Sequence, residues 1–329
     1  MKNKTVFIPV VTAFFTSFAY PQIELPRSTG NQIVSHTGYT LSYNEEHEQA
    51  DWVAYKLTAS EVRAAMDRTN DYRADPKVRT GSASLRDYKG SGYDRGHLAP
   101  AADMKWSYTA MSESFYLSNM SPQKAGFNRG IWKGLEAQVR QWAIDNNSVY
   151  VATAGVLKSG LSSIGSNRVS VPKYYYKVIL DYTDPEIKGI GFILPNESSK
   201  SSLKSYAVTI DEVESVTGID FFYSLPDEVE ELVESSVDLT LWSFVPYKST
   251  AGGGTATQCL GNTKSGRRCR NQTKNELGYC YLHDPSKSVT KSLDRLDISV
   301  RCSGVTKKDL RCKRKTKSPN GLCYQHGGN

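Results

Sequence analysis

The first 250 residues contain no cysteine, and all six thiols of the 329-residue chain lie between Cys259 and Cys323. Thiol chemistry, whether disulfide or soft metal, is therefore confined to a C-terminal tail. Beyond the first twenty residues no apolar run approaches the roughly 18 residues that span a bilayer, which excludes a polytopic membrane protein. What is present is a 39% hydrophobic share with 20 Tyr and 10 Phe, enough to build a core and to exclude wholesale disorder.

The net charge of +7 is unevenly placed. Residues 251–329 carry 16 Lys and Arg against 5 acids, +11, which leaves residues 1–250 at −4. A slightly acidic body with a strongly basic appendage implies two jobs, the appendage facing a polyanion or an acidic surface. At the other end, Lys2 and Lys4 precede an apolar stretch from Thr5 to Ala19, and Ser17 and Ala19 satisfy the small-residue rule for cleavage before Tyr20. Residues 1–19 read as a secretory signal peptide, so the mature protein is expected to be exported, periplasmic or extracellular, with no transmembrane segment. Residues 20–49, polar and mixed, read as a loosely packed leader.

From Trp52 to about Tyr247 helical and strand signals are interspersed. Ser60 to Arg68 suggests a short helix capped by Ser60, and residues 127–145 a longer one, with Ile131, Leu135, Val139 and Trp142 on one face. Strands are expected at 148–156, 173–183 and 188–195, then short helices at 209–216 and 226–236. Without regular βαβ repetition this pattern is α+β, with a domain over 50–247. A Gly, Ser and Thr rich linker follows at 248–258.

Two segments of this body carry chemistry. Tyr93 to Met104 reads YDRGHLAPAADM, where Gly92 and Gly96 bracket a loop or strand end and place His97 on a turn with its ring exposed. Phe115 to Glu136 reads FYLSNMSPQKAGFNRGIWKGLE and supplies Asn119, Asn128 and Glu136, hard oxygen donors suited to Mg²⁺. Asn128 falls in the first turn of the 127–145 helix with Glu136 on a nearby stripe, so one helix can present an amide oxygen and a carboxylate toward whatever His97 faces. A helix cap at Asn128 and a solvated acid at Glu136 account for the same residues without catalysis.

DRGHLAPAADM, SNMSPQ and NRGIWKGLE, in that order, resemble the non-specific DNA/RNA endonucleases of the ββα-metal class, the endonuclease G-like group. The upstream DRTNDYRADP, Arg68 to Pro76, is similar to the arginine-bearing segment of the same enzymes. The resemblance implies a central, mainly antiparallel sheet flanked by helices, and DNA and RNA as substrates. It implies His97 as general base and Asn128 as the one direct protein ligand of Mg²⁺ (or Mn²⁺). Glu136 would hold a metal-bound water and Asn119 would support the site. Arg95 would contact phosphate together with Arg68 or Arg73, since these two flank Tyr72 and the family's arginine maps to either. An inhibitor protein would suit an exported enzyme of this kind. The alternative is a nucleic-acid or surface-binding protein whose nuclease body is inactive, a reading disfavoured by the presence of His97, Asn128 and Glu136.

The tail repeats itself. Cys259, Cys269, Cys280 and His283 are followed at identical intervals by Cys302, Cys312, Cys323 and His326, in units 259–283 and 302–329 joined by a connector at 284–301. Three thiols and an imidazole are the donor set that tetrahedral Zn²⁺ prefers, and so small a unit needs a metal to fold. The rival is a disulfide set, Cys259–Cys269, Cys302–Cys312 and Cys280–Cys323. An odd number of cysteines per repeat and a histidine kept in both favour zinc. The basic residues would dock on nucleic acid, and an anionic cell surface fits the charge equally well.

Overall fold

The computed structural model describes residues 22–245 and, in the tail, residues 257–263, 266–273, 280 and 283, with the backbone of 300–301 and 315–316. Residues 1–19, most of the linker, and Cys302, Cys312, Cys323 and His326 lie outside the described residues. The chain divides into two compact units, Met1–Ala64 with Asn70–Lys248, and Ala65–Thr69 with Ser249–Asn329.

In chain order the first unit forms β1 (Gln32–Ser35), β2 (Thr40–Asn44), β3 (Gln49–Thr58), α1 (Ala59–Arg63), α2 (Leu85–Tyr88), β4 (Asp94–His97), α3 (Tyr108–Glu113) and β5 (Met120–Gln123). A wide helical turn, Phe127–Trp132, then runs into α4 (Lys133–Asp145). There follow β6 (Ser148–Gly155), β7 (Ser163–Ile164), β8 (Val169–Ser170), β9 (Tyr174–Asp181), β10 (Lys188–Pro195), β11 (Ala207–Val208), α5 (Ile210–Thr217) and α6 (Asp227–Glu234). Seven strands make one sheet in the order β1-β2-β3-β6-β9-β10-β11, each neighbouring pair antiparallel.

Both faces of this sheet are covered, which is why β9 (YYYKVILD) is apolar almost throughout and buried at every position after the first. Alternation along β10 separates the two sides. Phe192 stacks on Trp142 of α4 at 6.0 Å between centroids, while Gly189 and Gly191 face α5 and α6. A Cβ at either glycine would collide with the carbonyl oxygen of Val233 or Thr209, so their absence of a side chain lets the helices lie against the strand. On α4, Leu135, Val139 and Trp142 are buried at the expected helical spacing. A second, smaller core of Tyr88, Leu117, Met120, Ile164 and Val169 includes a residue of β5, which pairs antiparallel with β4.

Two expectations are corrected. Residues 20–49 are no leader: β1 and β2 form the edge of the main sheet, with Leu41 and Tyr43 fully buried. The segment tolerates polar residues at buried positions because Thr40 and Ser42 each reach a hydroxyl nearer the surface, Ser35 at 3.2 Å and Thr29 at 3.0 Å. The helix expected from Ser60 is capped instead by Thr58 and ends at Arg63. The Glu61 N–H donates to Thr58 Oγ1, and the Thr58 N–H donates to Glu61 Oε2, a reciprocal cap.

Glu234, at the end of α6, is buried with one carboxylate oxygen lacking a hydrogen bond. Burial, then the charges of Glu214, Glu230, Asp211 and Asp220, push its carboxyl from 4.5 up to about 9. The folded chain thus keeps a proton that the unfolded chain releases, so this group makes stability fall as pH rises from about 4.5 to about 9. Urea unfolding across that window checks it: Glu234→Gln should lose much less stability with rising pH than the wild type, and parallel pH profiles would contradict the assignment.

Candidate active site

Arg95 and His97 are two residues apart on β4 and therefore project from the same face. Both meet Tyr72, the Arg95 guanidinium at 4.4 Å from the ring centroid and the His97 ring at 6.0 Å. Phe115 meets His97 edge-on at 5.0 Å. His97 is consequently 9% exposed. The expected exposed turn is corrected to the last residue of a strand, enclosed by aromatic rings. Gly92 does turn the chain, with φ of 82°, but Gly96 lies within β4, where a Cβ would collide with the Gln123 side chain.

Asn119 precedes β5 and is fully buried. Its Oδ1 accepts from the Ala99 N–H, and its Nδ2 donates to the Ala99 and Ser114 carbonyls, all at 2.9 Å. With its amide committed to backbone, Asn119 fixes the segment that leaves His97 and is a positioning residue.

Asn128 sits on the wide turn 127–132, which is broken at Gly130 (φ −104°, ψ −113°), and not in a regular first helical turn. Wide turns of this kind occur frequently at functional sites. Asn128 Nδ2 donates to Asp94 Oδ2 at 2.9 Å, which orients the amide so that Oδ1 is its remaining polar atom. Arg129 grips the same carboxylate bidentately, Nε at 2.8 Å and Nη2 at 2.7 Å. Burial opposes ionisation of Asp94, but Arg129, Asn128 and the nearby Arg95 outweigh it and hold the carboxyl below its usual range. Asp94 escaped the sequence reading although it stands inside the DRGH segment, next to Arg95.

Glu136 is half-buried on α4 among charges: Arg140 and Lys177 of opposite sign and Asp103 of the same. Arg140 pairs with Asp103 at 2.8 Å, and the Tyr55 hydroxyl donates to Asp103 at 2.9 Å. Lys177 is fully buried, its ammonium 4.9 Å from the Trp132 ring, and burial pushes its pKa down. Arg73 is held by the Asp71 carboxylate at 3.0 Å, the Ser112 carbonyl at 3.0 Å and the face of Tyr116 at 4.0 Å. Arg68 belongs to Ala65–Thr69, in the other unit.

A cavity of about 330 Å³ is lined by Tyr72, Tyr88, Tyr93, Asp94, Arg95, Asn128 and Arg129. Arg95 and Asn128 thus come together in it; His97, whose ring meets that of the lining residue Tyr72, is not among the lining residues, nor are Asn119, Arg73 and Glu136. In the tail, Cys259, Cys269, Cys280 and His283 converge, their ligand atoms all within 4.8 Å of one another. Cys259 and Cys269 are not joined in a disulfide, against the rival reading of that pair.

The sequence profile of DNA/RNA non-specific endonucleases matches residues 18–228. The chain belongs to the DNA/RNA non-specific endonuclease family. Nuclease C1 of Cunninghamella echinulata var. echinulata is 36% identical over 242 residues, 68% of this chain and 94% of that protein. Human mitochondrial endonuclease G is 34% identical over 205 residues, 58% of this chain and 69% of that protein. A chain of the EndoG/EndoGI crystal structure superimposes with a TM-score of 0.56 at 32% identity, covering 60% of this chain and 87% of that one.

The fold is therefore that of the endonuclease G-like ββα nucleases, with β4, β5 and the helix from Phe127 as the ββα unit, and a member of this endonuclease family acts on nucleic acid. The family match begins ahead of β1, consistent with the place of β1 and β2 in the sheet, and stops short of the tail.

The Asn119 clamp is testable. Asn119→Ala leaves three buried backbone groups without partners, at about 1–3 kcal/mol each, so the variant should lose roughly 3 kcal/mol or more in urea unfolding. Unchanged stability would show that the amide does not hold this segment.

Proposed function

We propose that the protein is an exported, Mg²⁺-dependent endonuclease that hydrolyses DNA and RNA without sequence preference, and that its basic tail docks on the polymer. The observation that carries the catalytic part is the Asp94–Asn128 hydrogen bond beside Arg95. It ties the strand that bears His97 to the helical turn that bears an amide oxygen, around one polar cavity.

The cavity suits a hydrated hard cation. Its lining offers the Asn128 amide oxygen and three phenol oxygens, with no thiol or imidazole, while the Asp94 carboxylate is taken up by Arg129 and the Asn128 amide nitrogen and Arg95 is left to face a phosphate. Asn128 Oδ1 would hold the ion directly, and Glu136 would reach it through water. When bound, Mg²⁺ supplies positive charge to the pentacovalent phosphorus and to the leaving 3′ oxygen.

The chain's own residues supply the rest. His97 would take the proton from the attacking water as general base. The Tyr72 and Phe115 rings fix its orientation and limit solvent around it. Arg95, oriented by the face of Tyr72, would bind a non-bridging phosphate oxygen. Arg73, already engaged with Asp71 and Ser112, would act by holding the Tyr72 segment, which makes Arg95 the better phosphate contact. No group in this set reads a base edge, which supports cleavage independent of sequence and of the sugar.

Export rests on the lysine-flanked apolar stretch at 5–19. No helix among the described residues is long and apolar enough to cross a membrane. In the tail, the repeated donor set would carry zinc, and the +11 charge would raise the local concentration of substrate for a body of −4.

Plasmid DNA and RNA digestion in Mg²⁺, with and without EDTA, tests the reading. The wild type should degrade both polymers, EDTA should stop it, and His97→Ala should slow turnover by roughly 10²–10⁴-fold. A purified wild type that leaves both substrates intact in Mg²⁺ or Mn²⁺ would refute the assignment.

A further inference from the structure

The first tail repeat gathers its four donors without a covalent link. Cys259 Sγ and Cys280 Sγ each lie 3.5 Å from His283 Nδ1, and Cys269 Sγ lies 3.8 Å from Cys280 Sγ. A tetrahedron with bonds of about 2.3 Å to sulfur and about 2.0 Å to nitrogen has edges of roughly 3.8 Å between sulfurs and roughly 3.5 Å from sulfur to nitrogen. The observed separations are those edges, whereas a disulfide requires about 2.05 Å.

Backbone and amide N–H groups point at two of the sulfurs. The Gly261 N–H donates to Cys259 Sγ at 3.3 Å, the Cys280 N–H to the same sulfur at 3.2 Å, and Asn271 Nδ2 to Cys280 Sγ at 3.5 Å. All three cysteines are buried, and a Cβ at Gly261 would collide with the His283 ring. Four protein donors close the coordination shell, the mark of a structural zinc site with no position for a reacting water.

The same donors bracket a basic loop. Cys259 and Cys269 anchor its ends, and Arg268 folds back to donate from Nε to the Cys259 carbonyl at 3.2 Å. Arg267 and Arg270, on either side, are exposed. Two short strands, β12 (Thr257–Gln258) and β13 (Gln272–Thr273), close the loop with Thr257 opposite Thr273. The second repeat pairs Val300–Arg301 with Lys315–Thr316 in the equivalent register, 43 residues on.

We propose that the Cys259–Cys269–Cys280–His283 cluster binds one structural Zn²⁺, and that this ion fixes Arg267 and Arg270 as a phosphate-docking surface, so that affinity for long nucleic acid depends on zinc in the tail. The docking half rests on the function proposed above; the metal half stands on the geometry alone. Released from the ion, the loop keeps only backbone bonds such as Thr263 N–H to the Arg267 carbonyl and Cys269 N–H to the Gly261 carbonyl, together with the Arg268 tie; so small a unit has almost no core, and its cations lose their fixed spacing.

The test uses the full-length chain carrying His97→Ala, so that the polymer survives, in chelator-free buffer without Mg²⁺. Elemental analysis should find zinc, and Cys280→Ser should lose one equivalent per chain and weaken binding to long DNA. Arg267→Gln with Arg270→Gln should keep the zinc yet lower the salt slope of log affinity by about 2, one charge per phosphate released. The unchanged thermal melt of the nuclease unit serves as the folding control.

A wild-type chain without zinc overturns the site. Zinc lost from Cys280→Ser with DNA affinity and salt slope intact overturns the docking role. The separate digestion assay on the wild type reports on the nuclease reading, so its failure is not confused with either result.

Discussion

The arrangement at the active site depends on one carboxylate. Asp94 opens the strand that ends in His97, and its Oδ2 receives the Asn128 amide from the helical turn across the cavity. A histidine on a strand and an amide on a helical turn have no reason to keep a fixed separation unless something joins the two elements. Asp94 does so among the described residues, and Arg129 keeps it ionised while closing the same carboxylate from the other side. The amide is thereby turned so that its oxygen, and not its NH₂, is left for a cation.

The larger fold serves to immobilise this junction. Helix α4 continues from the turn that bears Asn128 and is pinned to the sheet by Trp142 against Phe192. On the strand side, Asn119 secures the exit from His97 through three backbone bonds. Aromatic rings do the remaining orientation: Tyr72 touches both Arg95 and His97, and Phe115 closes the imidazole from its edge. The sheet itself is covered on two sides because Gly189 and Gly191 admit α5 and α6 so closely. The tail follows another logic. Its described residues gather three buried thiols and an imidazole in one cluster.

Much of this was legible in the residues. The apolar, β-branched runs at 148–156, 173–183 and 188–195 became β6, β9 and β10 with ends within two residues, because strands buried on both faces write an unbroken apolar signal. The motif order around DRGH and NRGIWKGLE named the family. What stayed hidden was of two kinds. Strand β2 buries the hydroxyls of Thr40 and Ser42 against partners nearer the surface, so the composition of this edge resembles a loop. Pairings across the fold leave no periodic trace either: Asp94 with Asn128, Asn119 with Ala99, and Arg73 with Ser112 are 20 to 39 residues apart. Glycine also carries two meanings, a turn at Gly92 and close packing within a strand at Gly96, and only the surroundings separate them.

The most direct measurement is the position of the ion. Crystals of the wild type soaked in Mn²⁺, examined by anomalous scattering, should show a single peak in the Tyr72–Asn128 cavity about 2.1 Å from Asn128 Oδ1, near the Mg²⁺–oxygen distance. Asp94 should remain bonded to the amide nitrogen. A peak coordinated by the Asp94 carboxylate with Asn128 turned away, or an ion bound elsewhere with the cavity's amide oxygen uninvolved, would contradict the account.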